Sequence, residues 1–446
     1  MPKKFAFIGA GSLGFTRDLV RDILTFAAFS DAELFLLDIN TKRLEYARKG
    51  VQRIIDAGNY PARVFATTDR QEALSGADGV LITILQGGVE VWRSDIEIPK
   101  KYGVDVCVGD TRSASGIFRF LRTAPPMLEI LRDCEKYCPG AIVLNYTNPM
   151  CMLVKYLQEQ TKVSVTGLCH SVQGTAMMLA EWLDQDYTNI DYTCIGINHQ
   201  AFYTKFATKD GVDLYPALRA AIERPEIYQQ EIVRNDMFKH LGYYCTESSG
   251  HVSEYNWWYR KRQDLIVKYT KDGSGWNPGE YAAILQEYLR RENSWESEYT
   301  QWLLEGEVEL EKEEEYASDI FNAIFGDHTP FTFNGNIPNA GLITNVKQGA
   351  CVEVPVMADE RGIHPLGVHT LPDHLALLVN LSAGIEDLVV KAAIENNPQM
   401  VMHAIMMDPL CAAVLSLEEI RRMVKEMFVA NKQYLTYFED QDIDKL

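Results

Sequence analysis

The chain has 446 residues, of which 47% are hydrophobic and 24% charged, which is typical of a soluble globular protein with two or three domains. Its formal net charge of −19 argues against nucleic acid, an anionic membrane or a highly anionic polymer as a partner or substrate. The first apolar run has only about five residues, fewer than the roughly 7–15 of a secretory signal, and no run approaches the roughly 20 of a membrane-spanning helix. Nine cysteines without the spacing of a disulfide framework indicate a reducing compartment, so we expect a cytoplasmic protein.

The first elements form a nucleotide-binding pattern. Residues 3–9 (KKFAFIG) predict a strand, 15–26 (FTRDLVRDILTF) a helix with apolar residues at helical spacing, and 33–38 (ELFLLD) a second strand. Gly9-Ala10-Gly11-Ser12-Leu13-Gly14 joins the first strand to the helix with the Gly-x-Gly-x-x-Gly spacing of dinucleotide-binding proteins. This context disfavours the alternative of a glycine-rich turn without a ligand.

Each residue of this motif has a physical role in binding a dinucleotide. Gly9 allows the tight turn, Gly11 lets the backbone approach a pyrophosphate, and Gly14 lets helix and strand pack closely. Ser12 lies at the helix N-terminus, where N–H groups and the helix dipole favour a phosphate. Asp38 follows Gly14 by 24 residues, close to the spacing of an acid that binds the ribose 2′-OH. Because a carboxylate there would repel a 2′-phosphate, we expect NAD rather than NADP.

Further strands are predicted within residues 76–84, 140–149 and 162–168, with helical stretches between them. Alternating strands and helices predict a doubly wound parallel sheet of the Rossmann type, with ligands at the carboxyl ends of its strands. Polar clusters follow several of these strands, at residues 86–88, 109–111 and 145–149.

The second half is less regular. A strand within 191–202 ends at Asn198-His199, and helical patterns dominate the later segments 215–236, 279–293 and 416–438. We expect the acidic run 305–321 to be a solvated helix face, 334–341 to be a turn cluster, and 351–359 to be a strand. The segment 242–262 gathers Glu247, His251, Glu254, Tyr255 and Arg260, and its composition also fits a loop and an aromatic helix packed on the core. We predict an NAD-binding domain at 1–195 and an α+β substrate, metal-site and oligomerisation domain at 196–446.

Seven motifs together resemble family 4 of the glycoside hydrolases, in the order of that family and across residues 1 to about 360. They are MPKKFAFIGAGSLGFTRDL (1–19), VGDTRSASGIFRFLRTAP (108–125), NYTNPM (145–150), GLCHSVQGT (167–175), IGINHQAF (195–202), TESSGHVSEY (246–255) and NIPNAGLITN followed by CVEVP (336–345 and 351–355). Within the family, Cys-His-Ser-Val at 169–172 resembles the α-galactosidase branch, whereas phosphoglycosidases carry Asp or Asn after the cysteine.

The resemblance implies a fold like that of lactate and malate dehydrogenases, and a glycosidase that needs NAD, a divalent metal, usually manganese, and a reducing environment. In place of the usual two-carboxylate chemistry, the family's reaction starts with hydride transfer from sugar C3 to NAD. A base then removes the C2 proton, the aglycone leaves C1 by elimination, water adds, and the hydride returns. The resemblance also implies a homodimer or homotetramer.

The resemblance assigns Cys169 and His199 as metal ligands and Asn148 as a substrate ligand. A buried thiol beside an unrelated core histidine is the alternative for the first two. Ligand softness alone would favour zinc or iron beside a thiolate, so manganese is expected on family grounds. Asp110 is expected to bind the cofactor or to orient a metal-bound water. Arg93 matches an arginine near the sugar in phosphoglycosidases, and its role with a neutral hexose is open.

Proton transfers fall to three further residues. His170 is expected either to protonate the leaving oxygen or to hydrogen-bond a sugar hydroxyl. Tyr255 is the first candidate for the base at C2 and His251 the second; a tyrosine in this role needs a nearby cation or metal to lower its pKa.

We therefore expect an NAD- and metal-dependent α-galactosidase. The nearest alternatives are an α-glucosidase or α-galacturonidase of the same family. An NAD-dependent hydroxyacid dehydrogenase is less favoured because no arginine–histidine arrangement for a carboxylate substrate is evident. A non-catalytic NAD-binding sensor is disfavoured because it would not need Asn148, Cys169 and His199 at strand ends.

Overall fold

The strands of the molecule form one continuous sheet. The computed structural model describes residues 2–270, 279–313, 315–438 and 443. In chain order the strands are β1 (Lys4–Ile8), β2 (Glu33–Leu37), β3 (Arg63–Thr67), β4 (Gly79–Ile82), β5 (Ile142–Asn145), β6 (Val165–Leu168), β7 (Ile190–Ile197), β8 (Gln200–Thr208), β9 (Phe331–Pro338), β10 (Cys351–Asp359) and β11 (Gly362–Pro365).

The first six strands are parallel in the order β3-β2-β1-β4-β5-β6. This is the doubly wound dinucleotide-binding order. β1 and β4 are almost entirely apolar and buried, because helices cover both faces of a parallel sheet. The predicted fold class is therefore confirmed.

The sheet continues as β9-β10-β7-β8 with antiparallel pairing, and β11 pairs with β10. β9 pairs with β6 through Gly167 and Leu168, and β10 pairs with β7 at Glu353 opposite Gly196. Two strands from late in the chain thus separate β6 from β7. The predicted division between residues 195 and 196 falls within β7 and remains a prediction.

Helices connect the strands of the sheet. In chain order they are α1 (Leu13–Leu24), α2 (Thr41–Gly58), α3 (Arg70–Leu74), α4 (Gly88–Lys101), α5 (Ser113–Tyr137), α6 (Met150–Gln160), α7 (Ser171–Trp182), α8 (Tyr215–Ala221), α9 (Pro225–Tyr228), α10 (Ile232–Leu241), α11 (Ser249–Glu254), α12 (Gln263–Thr270), α13 (Ala283–Glu305), α14 (Tyr316–Phe325), α15 (Asp373–Ile394), α16 (Pro398–Met407), α17 (Pro409–Val414) and α18 (Leu417–Asn431). Across the described ranges, none of these helices is long and apolar enough to cross a membrane.

Two local predictions are wrong. Residues 334–338 belong to β9 rather than to a turn cluster, because Asn334 and Asn336 are buried and their side-chain amides donate to the backbone of Cys194 and Gly167. The acidic run 305–321 is not one solvated helix. α13 ends at Glu305, residues 306–313 are not helical, and α14 begins only at Tyr316. Residue 314 lies outside the described residues.

Candidate active site

The carboxyl-terminal edge of the sheet gathers candidate residues from separate parts of the chain. Cys169 directly follows β6, and His199 lies in the two-residue turn between β7 and β8. Asn148 follows β5, Asp110 precedes α5, and His251 lies on α11. Asn148 Nδ2 lies 3.5 Å from Asp110 Oδ2, so the polar cluster after β5 meets the one before α5.

Three different donor types converge in the side chains of Cys169, His199 and Glu247. One ligand atom from each lies within 4.8 Å of the other two. His199 Nε2 is 3.2 Å from Glu247 Oε2, and all three side chains are buried. A thiol, an imidazole and a carboxylate at such separations fit a divalent cation.

A second group shares His199 and adds Asp110 and His251, again with ligand atoms within 4.8 Å. His251 Nε2 lies 3.5 Å from Asp110 Oδ1, and His251 Nδ1 lies 3.1 Å from Glu247 Oε1. His251 therefore bridges the two carboxylates of the site.

The two histidines titrate in opposite directions. Burial lowers the pKa of His199 to about 4, so its imidazole is neutral at pH 7, the form that ligates metals. Burial also acts to lower the pKa of His251, but Glu247 and Asp110 outweigh it and raise that pKa to about 10. Burial acts to raise the pKa of Glu247, but its interactions with His199 and His251, including a hydrogen bond from His251, outweigh it and hold that pKa below its usual range. In the metal-free protein His251 is consequently a cation between two carboxylates.

The pKa values of the thiol of Cys169 and the phenol of Tyr255 are both raised well above their usual values. Burial is the main cause for each, followed by Glu247 for Cys169 and by Asp110 for Tyr255. Since a coordinating thiol is deprotonated by the metal, a cation bound here would reverse the effect of burial on Cys169.

His199 is held in orientation by two hydroxyl groups. Its Nδ1 lies 3.1 Å from Thr111 Oγ1 and 3.2 Å from the hydroxyl of Tyr255. These contacts leave Nε2 facing Glu247. The guanidinium of Arg112 lies 4.7 Å from the centre of the Tyr255 ring and donates at 2.8 Å to the carbonyl of Asn198. It thus contacts a residue that binds the imidazole and the residue that precedes His199.

Three further predicted residues have different surroundings. The buried side-chain oxygen Oδ1 of Asn148 has no hydrogen-bond partner in the described residues, so it is available to a ligand. His170 precedes α7, is 58% exposed, and its Nδ1 lies 3.8 Å from Glu315 Oε1. Arg93 lies on α4 and pairs with Glu90 at 3.1 Å, so the structure does not bring it into contact with the other candidates described here.

The predicted dinucleotide turn has the expected geometry at its first two glycines. Gly9 has φ +92°, and a Cβ on Gly11 would lie 2.6 Å from Asp38 Oδ2. Asp38 accepts a hydrogen bond of 2.7 Å from the Gly11 amide. Ser12 precedes α1 and its side chain makes no capping hydrogen bond, so the helix N-terminus offers its N–H groups to a phosphate. These features fit a dinucleotide with a free ribose hydroxyl near Asp38.

The role predicted for Gly14 is wrong. A Cβ added there would meet no described atom within 4 Å, so close packing of helix and strand does not require glycine at this position.

The sequence analysis assigned no role to Glu247, Thr111 or Arg112. Each lies inside a motif of the family resemblance, TESSGHVSEY or VGDTRSASG. Composition could not single them out, because their roles follow from partners 48 to 88 residues away, Glu247 and Thr111 at His199 and Arg112 at Asn198.

Comparison with known proteins agrees with these features. The sequence model described as Family 4 glycosyl hydrolase matches residues 4–185, and that of the family's C-terminal domain matches residues 194–411. The chain is 39% identical to an alpha-galactosidase of Rhizobium meliloti (strain 1021), covering 98% of this chain and 89% of that protein. It is 36% identical to an alpha-galactosidase of Bacillus subtilis (strain 168), covering 97% of this chain and 99% of that protein.

Solved structures show the same fold. A 6-phospho-alpha-glucosidase from gut microorganisms, in complex with NAD and Mn²⁺, superposes with a TM-score of 0.81 at 20% identity, covering 97% of this chain and 99% of that one. Malate dehydrogenase of Cryptosporidium parvum superposes with a TM-score of 0.54 at 16% identity, covering 89% and 100%. As the motifs predict, the chain belongs to family 4 of the glycoside hydrolases.

Proposed function

We propose that this glycoside hydrolase is an α-galactosidase that depends on NAD and on a divalent cation, with manganese as the expected metal. The relatives at 39% and 36% identity, both alpha-galactosidases, support the substrate. The solved relative in complex with NAD and Mn²⁺ supports the cofactors.

One observation carries the proposal. Cys169 and His199 converge from separate strands, beside Asn148 and on the sheet edge that also carries the dinucleotide turn. A hydroxyacid dehydrogenase has no need of a buried thiol and imidazole held together at this place. When bound, NAD supplies a reversible hydride acceptor and the cation supplies Lewis acidity at the sugar oxygens.

The residues of the chain supply positioning and proton transfer. We assign Cys169 and His199 to the cation and the free amide oxygen of Asn148 to a sugar hydroxyl. Asp110, which faces Asn148 and His251, binds the cofactor or orients a metal-bound water. Gly9, Gly11, Ser12 and Asp38 hold the dinucleotide.

Tyr255 is the proposed base at C2, ahead of His251. His251 is held protonated between Glu247 and Asp110, so it has no lone pair with which to accept a proton. The phenol of Tyr255 faces His199 at 3.2 Å, and Arg112 beside its ring favours the phenolate, against the effect of burial. His170, which is exposed next to Cys169, either protonates the leaving oxygen or binds a hydroxyl.

Release of nitrophenol from 4-nitrophenyl α-galactoside tests the activity, with NAD, Mn²⁺ and thiol each present or omitted. We expect turnover only when all three are present, and slower turnover of the α-glucoside and α-galacturonide. Turnover by protein freed of NAD contradicts the redox-elimination mechanism. Accumulation of NADH in proportion to substrate would instead identify a dehydrogenase, because the hydrolase returns its hydride in each cycle.

The substitution Cys169→Ser tests the metal site. We expect activity to fall at least about 100-fold while NAD binding, followed by fluorescence titration, stays within about twofold. Cys134→Ser is the matched control, since Cys134 is also a buried free cysteine but lies on α5 and is not among the clustered side chains. An active Cys169→Ser enzyme would remove Cys169 from the metal site.

We further propose a cytoplasmic homodimer or homotetramer in which residues 1–195 bind NAD and 196–446 complete the site. All nine cysteines are free, which supports a reducing compartment. Exposed apolar side chains on α15, α16 and α18, namely Leu377, Met407 and Val429, support association. Light scattering after size-exclusion chromatography measures the mass, and a monomer at micromolar concentration contradicts the assembly.

A further inference from the structure

We propose that Glu247 is a third protein ligand of the cation, together with Cys169 and His199. The inference rests on the proposed function, because it requires a cation at this site. It adds a third ligand to the two that the family resemblance implies. It also gives a role to the Glu247 carboxylate, whose residue is only 3% exposed.

The distances between the Cys169, His199 and Glu247 side chains fit one bound ion. Bonds from a cation to its ligands are about 2.0–2.3 Å long, so two ligands of one ion are roughly 3–4 Å apart. Glu247 Oε2 is 3.2 Å from His199 Nε2, and the Cys169 sulfur lies within 4.8 Å of both groups. An ion can therefore enter between the three atoms with small side-chain movements.

The backbone conformation of His199 and Glu247 also supports a ligand site. His199 has φ +60° and Glu247 has φ +70°, a left-handed conformation that side chains other than glycine rarely adopt. Both residues are buried, and their side chains point at each other. Strained backbone of this kind collects at sites that bind ligands.

Hydrogen bonding favours a ligand over a mere support for His199. Thr111 and Tyr255 place hydroxyl oxygens at His199 Nδ1, and both can accept its proton. In that tautomer Nε2 carries a lone pair turned towards Glu247 Oε2 at 3.2 Å. A cation between them satisfies both. His251 meanwhile binds the other oxygen of Glu247, as an outer partner does for a ligating carboxylate.

The charge and the hardness of the Glu247 carboxylate also favour its role as a ligand. A thiolate with an imidazole is a soft set that favours zinc or iron. Glu247 adds a hard oxygen donor and a second negative charge, which balances a divalent ion and suits manganese.

Metal titration of the full-length Glu247→Gln variant tests the ligand without relying on activity. In the wild type, Co²⁺ should give a thiolate-to-metal charge-transfer band that Cys169→Ser removes. In Glu247→Gln this band should persist, the ligand-field bands should change, and Mn²⁺ binding followed by electron paramagnetic resonance should weaken on the order of 100-fold. Glu315→Gln is the matched control for loss of a nearby carboxylate, because Glu315 faces His170 instead. We expect its Mn²⁺ affinity to stay within about threefold.

Glu247→Asp keeps a carboxylate and should bind Mn²⁺ at least about tenfold more tightly than Glu247→Gln. Unchanged Mn²⁺ affinity and an unchanged Co²⁺ spectrum in Glu247→Gln, or equal losses in both variants, overturn the proposal. Absence of the thiolate band in the wild type instead refutes the cation site of the proposed function itself. Bound NAD and the unfolding temperature report whether each variant is folded.

Discussion

At the scale of single residues, Glu254 fixes the loop that carries Asp110. Its carboxylate is buried and accepts three backbone hydrogen bonds, from the amides of Cys107 at 2.8 Å, Val108 at 3.1 Å and Gly109 at 2.9 Å. Glu254 also lies on α11, next to Tyr255. One side chain thus sets the spacing between the cluster before α5 and the residues after β8.

We expect Glu254→Gln to lower the free energy of unfolding by about 1–3 kcal/mol, because an amide replaces an acceptor oxygen with a donor that faces backbone N–H groups. Urea unfolding measures this change. Glu90→Gln is the control: its side chain is 77% exposed, and its effect should stay within about 0.5 kcal/mol. Equal stability of the two variants would show that Glu254 does not hold the loop.

Residues at strand ends were predictable, and residues placed by loops were not. Cys169 and His199 each follow a strand that is visible in the sequence, so their positions at strand ends were predictable. Their meeting was not, because β7 runs opposite to β6 and is separated from it by β9 and β10. Glu247 lies in the irregular segment between α10 and α11. No periodicity marks such a segment, and the side chain's direction depends on a left-handed backbone angle that the residue type does not indicate.

At the scale of elements, Gly11 and Gly14 between β1 and the start of α1 differ in the space that a Cβ atom would have. We expect Gly11→Ala to lower the unfolding temperature and to weaken NAD binding at least about tenfold, because its Cβ would lie 2.6 Å from Asp38 Oδ2. Gly14→Ala adds a methyl group where no described atom lies within 4 Å, in the first turn of α1. It should keep the stability unchanged or raise it by up to about 1 kcal/mol. Calorimetry measures the unfolding temperatures of both variants. If Gly14→Ala is destabilised as much as Gly11→Ala, the space around Gly14 is not open.

An ion-pair cluster around the buried Asp387 connects α15 to α6 and to the loop after β9. Burial alone would raise the pKa of Asp387, but hydrogen bonds from Lys347, Lys155 and Lys391 outweigh it and lower that pKa to about 2. An aspartate in the unfolded chain titrates near 3.9, so the stabilisation is complete above about pH 5 and is lost as the pH falls through 4 towards 2.

We therefore expect Asp387→Asn to cost about 1–2 kcal/mol at pH 7, a value reduced by water around the half-exposed lysines. The difference from the wild type should shrink between pH 5 and pH 3.5 in urea unfolding. A stability difference between the wild type and Asp387→Asn that grows on acidification would show that the pKa of Asp387 is not lowered in the folded protein.

Elements with regular patterns were predicted well, and those that depend on distant partners were not. β1, α1, β2 and β10 follow apolar runs or helical spacing. β9 contains Asn334, Gly335 and Asn336, which are typical of turns. They form a strand because β6 and β10 flank them and their amides satisfy neighbouring carbonyls. Such tertiary context overrides local preference.

At the scale of the whole molecule, the first half was predictable as a doubly wound sheet because each of its strands is a short buried run joined by a helix. The continuation of that sheet was not. Sequence order suggests that β7 follows β6 in space, whereas β9 and β10 occupy the places between them. Pairing between strands more than 150 residues apart leaves no local signal.

The position of β9 and β10 also determines when the catalytic centre can form during biosynthesis. β6 and β7, which lead to the proposed ligands Cys169 and His199, do not pair with each other, and the strands that lie between them end at Asp359. A growing chain on the ribosome therefore carries Cys169, His199 and Glu247 long before it can hold them together. The dinucleotide half is free to fold early, while metallation waits for contacts of long sequence separation, which form slowly. If these residues bind the cation as proposed, metal loading requires a chain that has been made and folded at least as far as Asp359.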